Sequence, residues 1–252
     1  MSINLTKIST KAPSELNKKK IEAKTIDLVI KIGELQHKLY AEGKQSLLVI
    51  LQGMDASGKD GTVKTVFADC NPSGIDVVAF KKPTEEEFAH DFLWRIHQKT
   101  PTKGNIMIFN RSHYEDILIQ RVHKWISEEK AEKRMKAINA FEELLEFDAN
   151  TKVLKFYMHI SSEKQQEKLQ ERIDDTTKNW KHKAADWDEN DHWNEYMRCY
   201  EYAINESVIP WHIAPADKRW YRNYFIAQVV LKTLEDMNPQ LPILDRTDVG
   251  AK

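Results

Sequence analysis

The chain has only two cysteines among its 252 residues, Cys70 and Cys199, and they lie far apart. Neither belongs to a Cys-x-x-Cys pair or to a Cys/His ligand spacing, so the sequence indicates neither a disulfide scaffold nor a zinc site. This cysteine usage predicts a protein of the reducing cytoplasm.

Long apolar runs are also missing. No run approaches the roughly 20 residues that a helix needs to cross a bilayer. The segment from Met1 to Lys20 is polar and rich in lysine, without the apolar core of a signal peptide. We therefore expect no membrane association and no export.

The chain has no excess of charge of either sign, because 38 Lys and Arg residues face 39 Asp and Glu residues and give a formal net charge of -1. This balance excludes the overall basic character of a non-specific nucleic-acid binder. No nucleic-acid partner is expected, and any polyanion must meet a local basic patch.

Apolar residues are plentiful at 41%, which excludes a wholly disordered chain. Since single cores usually stop growing near roughly 250–300 residues, we predict one domain over residues 1–252. Apolar side chains at near-helical spacing predict a long helix over residues 14–43, with Ser14 as its N-cap.

Five short, β-branched apolar runs then suit buried parallel strands. They are Leu47 to Leu51, Ile75 to Phe80, Ile106 to Phe109, Val153 to Ile160 and Val208 to Ala214. Helix-like segments follow them at residues 58–70, 85–98, 113–147 (with a break), 161–175 and 217–238. This alternation predicts an α/β fold with a five-stranded parallel sheet flanked by helices.

Two segments depart from the alternation. Residues 174–191 are too polar for a strand and precede a further helix at 191–207, so we interpret them as a mobile insertion. Residues 241–252 contain one proline, Pro242, and no periodicity, which predicts a loosely held tail.

The first predicted strand runs into a glycine-rich loop with a lysine, and a helix-like segment follows, which is the context of a phosphate-binding P-loop. Glycines let backbone N–H groups point inward, and the lysine supplies a mobile cation. The alternative is a chance Gly-Lys in a surface turn. The residues expected to contact phosphate are Gly53, Ala56, Ser57, Gly58, Lys59, Asp60, Gly61 and Thr62.

The loop departs from the general motif at one position. Asp60 follows Lys59, where the motif places a Ser or Thr that holds Mg²⁺. The remaining carboxylate inside the loop is Asp55, and Mg²⁺ prefers oxygen ligands. We therefore assign Asp55 to the metal, with a turn-capping role as the alternative.

A second polar motif, Asn110 to Asp116, follows the third predicted strand and continues to Arg121. Ligands of open α/β sheets bind outside the carboxyl ends of the strands, so this motif should face the same crevice as the P-loop. The pair Lys81 and Lys82 directly follows the second predicted strand, so it should face the same crevice. Ordinary solvated charges are the alternative for both groups.

These motifs, with RIDDTTKNWK over residues 172–181 and PWHIAPADKRWYRN over residues 210–223, resemble the polyphosphate kinase 2 family. The segments HDFLWRIHQ and FNRSHYED are most similar to class III of that family. The resemblance implies a P-loop kinase core with a helical lid. It further implies a homo-oligomer, dimer or tetramer, that uses inorganic polyphosphate and Mg²⁺ to phosphorylate AMP and ADP.

The resemblance also implies roles for individual residues. Asp55 and Lys59 would serve the metal and the phosphates, and Arg111 would contact the transferring phosphate. Many members have Asp where this chain has Asn110, which puts a second metal ligand in doubt. By position, the lid cations are Arg172, Lys178 and Lys181, and the residues assigned to the nucleotide are Asn110, Glu115 and Asp116.

Transfer between polyphosphate and a nucleotide joins two anions, so neutralisation and placement are the main tasks. The acceptor phosphate oxygen is already ionised, and we predict no general base. Closure of the 174–191 lid would bring its cations over the phosphates. Two alternatives stay open, namely a nucleoside monophosphate kinase that uses an NTP donor and a nucleotide-binding module without turnover. Adenine nucleotides are the expected substrates, with guanine left open.

Overall fold

The structure, a computed structural model, describes residues 2–244. Five parallel strands form one sheet, as predicted, and their order in the sheet is β2-β3-β1-β4-β5. The strands are β1 (Ser46–Gln52), β2 (Ile75–Ala79), β3 (Ile106–Asn110), β4 (Thr151–His159) and β5 (Trp211–Pro215). The helices of the described residues are α1 (Lys18–Glu42), α2 (Lys59–Val66), α3 (Glu85–Ala89), α4 (Trp94–His97), α5 (Ile119–Val122), α6 (Glu128–Phe147), α7 (Ser162–Asp174), α8 (Ala185–Asp191), α9 (Trp193–Asn205) and α10 (Arg219–Met237).

Successive strands are added to the sheet on one side of β1 and then on its other side. After β1 the chain builds β2 and β3 on one side, and after β3 it crosses to build β4 and β5 on the other side. In open α/β sheets a crevice forms outside the carboxyl ends of the strands at such a point. The segment that follows β1 therefore lies at the crevice, and so does the segment that follows β3.

The three central strands are almost entirely buried, whereas the two edge strands are not. All residues of β1 are buried, as expected for a parallel strand covered on both faces. β2 differs from the prediction of a buried strand, because it is an edge strand and Val77 is 50% exposed. β5 begins at Trp211, three residues later than predicted from Val208. Pro210 lies just before it and has no N–H to donate to a ladder.

Several helix ends also differ from the predictions. Asn17, and not Ser14, caps α1, because its side chain accepts a hydrogen bond from the N–H of Lys20. α2 ends at Val66 and not at residue 70. The helix predicted over 85–98 is two short helices, since His90 is extended and the Asp91 side chain accepts from the N–H of Leu93.

The predicted break in the 113–147 segment is present. A 3-10 turn, His113–Asp116, is followed by α5, and α6 starts after Ser127, whose side chain caps it by accepting from the N–H of Lys130.

The polar insertion at 174–191 is more regular than expected. It contains a 3-10 turn, Asn179–Lys181, and the helix α8. Both the 3-10 turn and α8 pack against α7, the helix that leads into the insertion. Of the predicted tail at 241–252, only residues 241–244 are described, and they are exposed coil. The remainder of that prediction lies outside the described residues.

None of the helices within residues 2–244 combines the length and the apolarity that crossing a bilayer requires.

A buried ionic network supports the segment that follows β3. The ammonium of Lys155, on β4, donates to Glu142 of α6 at 2.5 Å and to the hydroxyl of Tyr114 at 2.7 Å. His113 Nε2 lies 3.2 Å from the other Glu142 oxygen. Burial acts to raise the pKa of Glu142, but His113 and Lys155 outweigh it and hold that pKa below its usual value. Glu142 is therefore a buried carboxylate, and it is the anion that balances Lys155.

Replacing Glu142 with Gln should lower the free energy of unfolding by about 3–5 kcal/mol, because a fully buried ammonium then loses its anion. The matched control is Glu129→Gln, which breaks an exposed pair with Lys133 and should cost about 0.5 kcal/mol or less. Urea unfolding of the two variants measures both values. Equal losses for the two variants would contradict the assigned role of Glu142.

Candidate phosphate site at the end of the central strand

The loop between β1 and α2 has the backbone of an anion-binding turn. Ala56 and Gly58 have positive φ values of 61° and 93°, so left-handed residues flank Ser57. Successive N–H groups in such alternating conformations form a concavity that binds anions. Gly53 allows a close approach, because a Cβ there would lie 2.9 Å from the carbonyl oxygen of Met158 on β4. The loop is therefore shaped and tightly packed before any ligand binds.

Lys59 folds back over this loop. Its ammonium donates to the carbonyl oxygens of Gly53 at 2.8 Å and Met54 at 3.2 Å. Burial lowers the pKa of Lys59 to about 8, with a further contribution from Arg111, while Asp55 opposes the shift. The group is thus still largely protonated at neutral pH and titrates just above it.

One ion pair joins the loop to the second motif. The Arg111 guanidinium donates through Nη2 to Asp55 Oδ1 and through Nη1 to Glu115 Oε2 at 3.2 Å. Arg111 has a left-handed φ of 63°, an uncommon conformation for a residue with a side chain, of the kind found at functional sites. The structure therefore brings the P-loop and the second motif together at the crevice.

A second contact joins the same two segments. The side-chain amide of Asn110 donates to Asp60 Oδ1 at 2.5 Å. Asp60 occupies the position where the general motif has a hydroxyl, and here its carboxylate holds the end of β3 against α2. Asn110 and Asp60 thus align the two motifs, while the amide oxygen of Asn110 accepts no hydrogen bond within the described residues.

The three cations predicted for the lid are Arg172, on α7, and Lys178 and Lys181, in the insertion. Arg172 of α7 donates to Asp186 of α8 at 2.6 Å. Lys178 pairs with Glu171 at 2.6 Å and with Asp175 at 2.7 Å. Lys181 lies 4.8 Å from the centre of the Trp180 ring. Arg172 is close enough to Asp55 to lower its pKa, whereas Lys178 contacts Glu171 of α7 and Asp175, and Lys181 contacts Trp180.

Two predicted site residues are engaged elsewhere. Arg121, expected to bind phosphate, is buried, pairs with Glu128 and stacks on Tyr202 at 4.3 Å from the ring centre. It joins α5 to α6 and α9. Asp116, expected at the nucleotide, is buried with its carboxylate 3.5 Å from Arg95. Because packing occupies both side chains, the geometry argues against those ligand roles.

Lys81 and Lys82 lie at the end of the edge strand β2 and are exposed. The backbone carbonyl of Lys81 accepts from Arg95 Nη1 at 2.9 Å. Within residues 2–244 neither ammonium forms an ion pair, so both are available to an anion that extends along this edge.

Two residues without a predicted role also hold the loop. Gln165 of α7 donates to the carbonyl oxygen of Asp55 at 3.2 Å, and its side-chain oxygen is buried without a partner. Arg222 of α10 donates to the carbonyl oxygen of Ser57 at 2.9 Å. Gln165 belongs to no motif in the sequence that would indicate this contact. Arg222 lies in the PWHIAPADKRWYRN motif, so its position was marked although its role was not.

The loop carboxylate is suitable for a hard cation. Burial acts to raise the pKa of Asp55, but Arg111 and Lys59 outweigh it, and the pKa lies below its usual value. Its side chain is 28% exposed and thus accessible. No group of three or more His, Cys, Asp or Glu side chains in the described part of the chain has the arrangement of a metal cage. Mg²⁺ needs no such cage, because one or two carboxylates, waters and substrate phosphates hold it.

Comparisons with known proteins agree on one family. The family model for polyphosphate kinase 2 (PPK2) matches residues 15–242. An AMP/ADP-polyphosphate phosphotransferase of Meiothermus ruber is 46% identical over 215 residues, which cover 84% of this chain and 80% of that protein. An ADP-polyphosphate phosphotransferase of Rhodopseudomonas palustris is 37% identical over 229 residues, covering 85% and 79%. The crystal structure of polyphosphate kinase 2 from Arthrobacter aurescens TC1 superimposes with a TM-score of 0.93 at 37% identity, covering 96% of this chain and 89% of that one.

The titration of Lys59 gives a testable pH dependence. Binding of inorganic tripolyphosphate should weaken as the pH rises through about 8, because the free ammonium loses its charge there. The affinity should fall by up to about tenfold per pH unit above that value. Calorimetric titration at constant ionic strength measures it, and Lys59→Met corrects for the titration of the anion itself. Parallel pH profiles for the wild type and Lys59→Met would rule out this role of Lys59.

Proposed function

Because the chain belongs to the polyphosphate kinase 2 family, we propose that it is an enzyme that transfers a phosphoryl group between inorganic polyphosphate and AMP or ADP, giving ADP or ATP. The observation that carries the proposal is the contact between Arg111 and Asp55, which joins the P-loop to the second motif at the crevice. The relatives from Meiothermus ruber and Rhodopseudomonas palustris, whose names state the donor and the acceptors, support it.

The residues of this crevice suit the reaction of two anions. Lys59, Arg111 and Arg172 lie around Asp55, and all three act on its pKa. Fixed cations reduce the repulsion between donor and acceptor, and positioning supplies most of the rest of the catalysis. The acceptor oxygen of AMP or ADP is already ionised, so the reaction proceeds without a general base. Lys59 and the loop N–H groups bind phosphate, and Arg111 contacts the transferring group.

We propose Mg²⁺ as the cofactor, with Asp55 as its protein ligand. Asp55 would hold the ion, which would supply positive charge to neutralise the phosphate oxygens of the substrates. Asp55 is ionised and accessible, and Arg111 holds its orientation. Asn110 offers an amide oxygen beside the loop, which is a weaker ligand than a carboxylate.

We propose Glu115 and Asn110 as the residues nearest the acceptor nucleotide, since both lie at the end of β3 beside the P-loop. Asp116 is left out of this set because Arg95 and Arg134 surround it. Adenine nucleotides are the proposed acceptors, and guanine nucleotides can be tested in the same assay.

Assembly and location also belong to the proposal. Ile26 and Ile30 of α1 are 63% and 45% exposed, which is compatible with the predicted use of this helix in a homo-oligomer, dimer or tetramer. A cytoplasmic location is proposed from the low cysteine content.

An assay with separate acceptors tests the function directly. AMP and ADP are each incubated with long-chain polyphosphate or with an NTP donor, with and without Mg²⁺, and product nucleotides are separated by chromatography. We expect products only with polyphosphate and Mg²⁺ present. Equal rates with an NTP donor alone would favour a nucleoside monophosphate kinase, and tight nucleotide binding without any product would favour a binding module.

The proposed lid is tested by replacing Lys178 and Lys181 together with Ala. The pairs of Lys178 are solvent-exposed and contribute little stability. We therefore expect unchanged thermal unfolding but a kcat that is lower by at least about tenfold, because cations over the phosphates are lost. Lys133→Ala with Lys136→Ala, on the exposed face of α6, is the matched control. Wild-type kinetics in the lid variant would refute the lid assignment.

A further inference from the structure

The guanidinium of Arg222, on the last helix, lies buried beneath the phosphate loop. Only 4% of the residue is exposed. Nη1 donates to the carbonyl oxygen of Ser57 at 2.9 Å, and Nε donates to the hydroxyl of Thr62 at 2.9 Å. Nη2 donates to the side-chain oxygen of Asn223 at 3.2 Å. One side chain thus binds both the loop and the helix that follows it.

The loop is built around this guanidinium. A Cβ on Gly58 would lie 2.1 Å from Nη1 of Arg222, nearer than any van der Waals contact permits. Gly58 also has a positive φ of 93°. Glycine at position 58 therefore allows the backbone conformation of the turn and also leaves room for the Arg222 guanidinium.

All hydrogen-bond acceptors of Arg222 are neutral. They are a carbonyl, a hydroxyl and an amide oxygen, and no carboxylate of residues 2–244 lies within ion-pair distance of it. Burial, followed by the nearby Arg219, lowers the pKa of Arg222 to about 10, so the group stays charged at neutral pH. A buried charge without a counter-ion is costly to a fold. The anion that would balance it is a phosphate bound in the loop above it.

We propose that Arg222 is a positioning residue of the phosphate loop, which holds the Ser57 carbonyl away from the bound polyanion and supplies an uncompensated positive charge beneath it. Binding of a carbonyl oxygen from behind leaves the N–H groups of the loop free for phosphate. The buried charge strengthens the attraction because water does not screen it there. This inference rests on the proposed function for its substrate.

The test compares Arg222→Lys and Arg222→Met with the control Arg219→Met, which removes an exposed cation from the same helix. The first readout is the division of kinetic effects between kcat and the KM for polyphosphate. The second is the rise in Tm that polyphosphate alone produces, measured at several NaCl concentrations. A residue with a purely structural role would lower Tm without changing either readout.

We expect Arg222→Met to raise the KM for polyphosphate at least about tenfold and to reduce the ligand-induced rise in Tm. Arg222→Lys keeps the charge but lacks the rigid fork whose Nε and Nη1 bind Thr62 and Ser57 from fixed positions, so it should keep most of the Tm rise and lose kcat. Arg219→Met should behave as the wild type. A folded Arg222→Met variant with wild-type KM and Tm rise would overturn the proposal.

If Arg222→Met does not fold, Arg222→Lys decides, because wild-type kcat in that variant would show that the paired hydrogen bonds are not needed. If the wild-type protein fails to use polyphosphate, the proposed function fails separately. The Tm rise with inorganic tripolyphosphate then tests Arg222, and an equal rise in wild type and Arg222→Met would reject its role.

Discussion

The repulsion between two phosphate-bearing reactants is the constraint that organises this molecule. Positive charge must be concentrated at one place, although the chain as a whole has almost no net charge. The parallel sheet solves this by its strand order, because β1 and β3 are neighbours and their carboxyl ends open on the same crevice. The contact of Arg111 with Asp55 is the direct result, since it joins residues that follow these two strands.

The cations proposed to act on the phosphates fall into two groups. Arg111, Arg172 and Lys178 are paired with carboxylates, so phosphate must compete with those partners or share the cations with them. In contrast, Lys59 and Arg222 donate to neutral oxygens. Their charges are held in place by the fold and need not break an ion pair when phosphate arrives. The site therefore combines a rigid cationic base with an outer set of cations whose partners can be exchanged.

The sequence predicted the features that depend on local pattern. Continuous apolar runs indicated the strands, and the glycines around Lys59 indicated the loop, because both signals lie within a few consecutive residues. Tertiary contacts decided the rest. Arg121 and Asp116 looked like ligands from their positions after β3, but their partners Glu128 and Arg95 come from other segments. The role of Arg222 could not be predicted for the same reason, since its partners precede it by about 160 residues.

Two separate groups of buried contacts support the site. Behind the second motif, Glu142 and Lys155 connect α6 and β4 to Tyr114, so a buried ion pair holds the residues next to Arg111. Behind the P-loop, α10 packs against α1 and α2 and carries Arg222 to Ser57. Buried polar groups of this kind are tolerated only when their partners are well placed. Because each motif has its own buried support, the crevice can keep its charges close together. Arg172 of α7, which pairs with Asp186, lies close enough to the crevice to lower the pKa of Asp55.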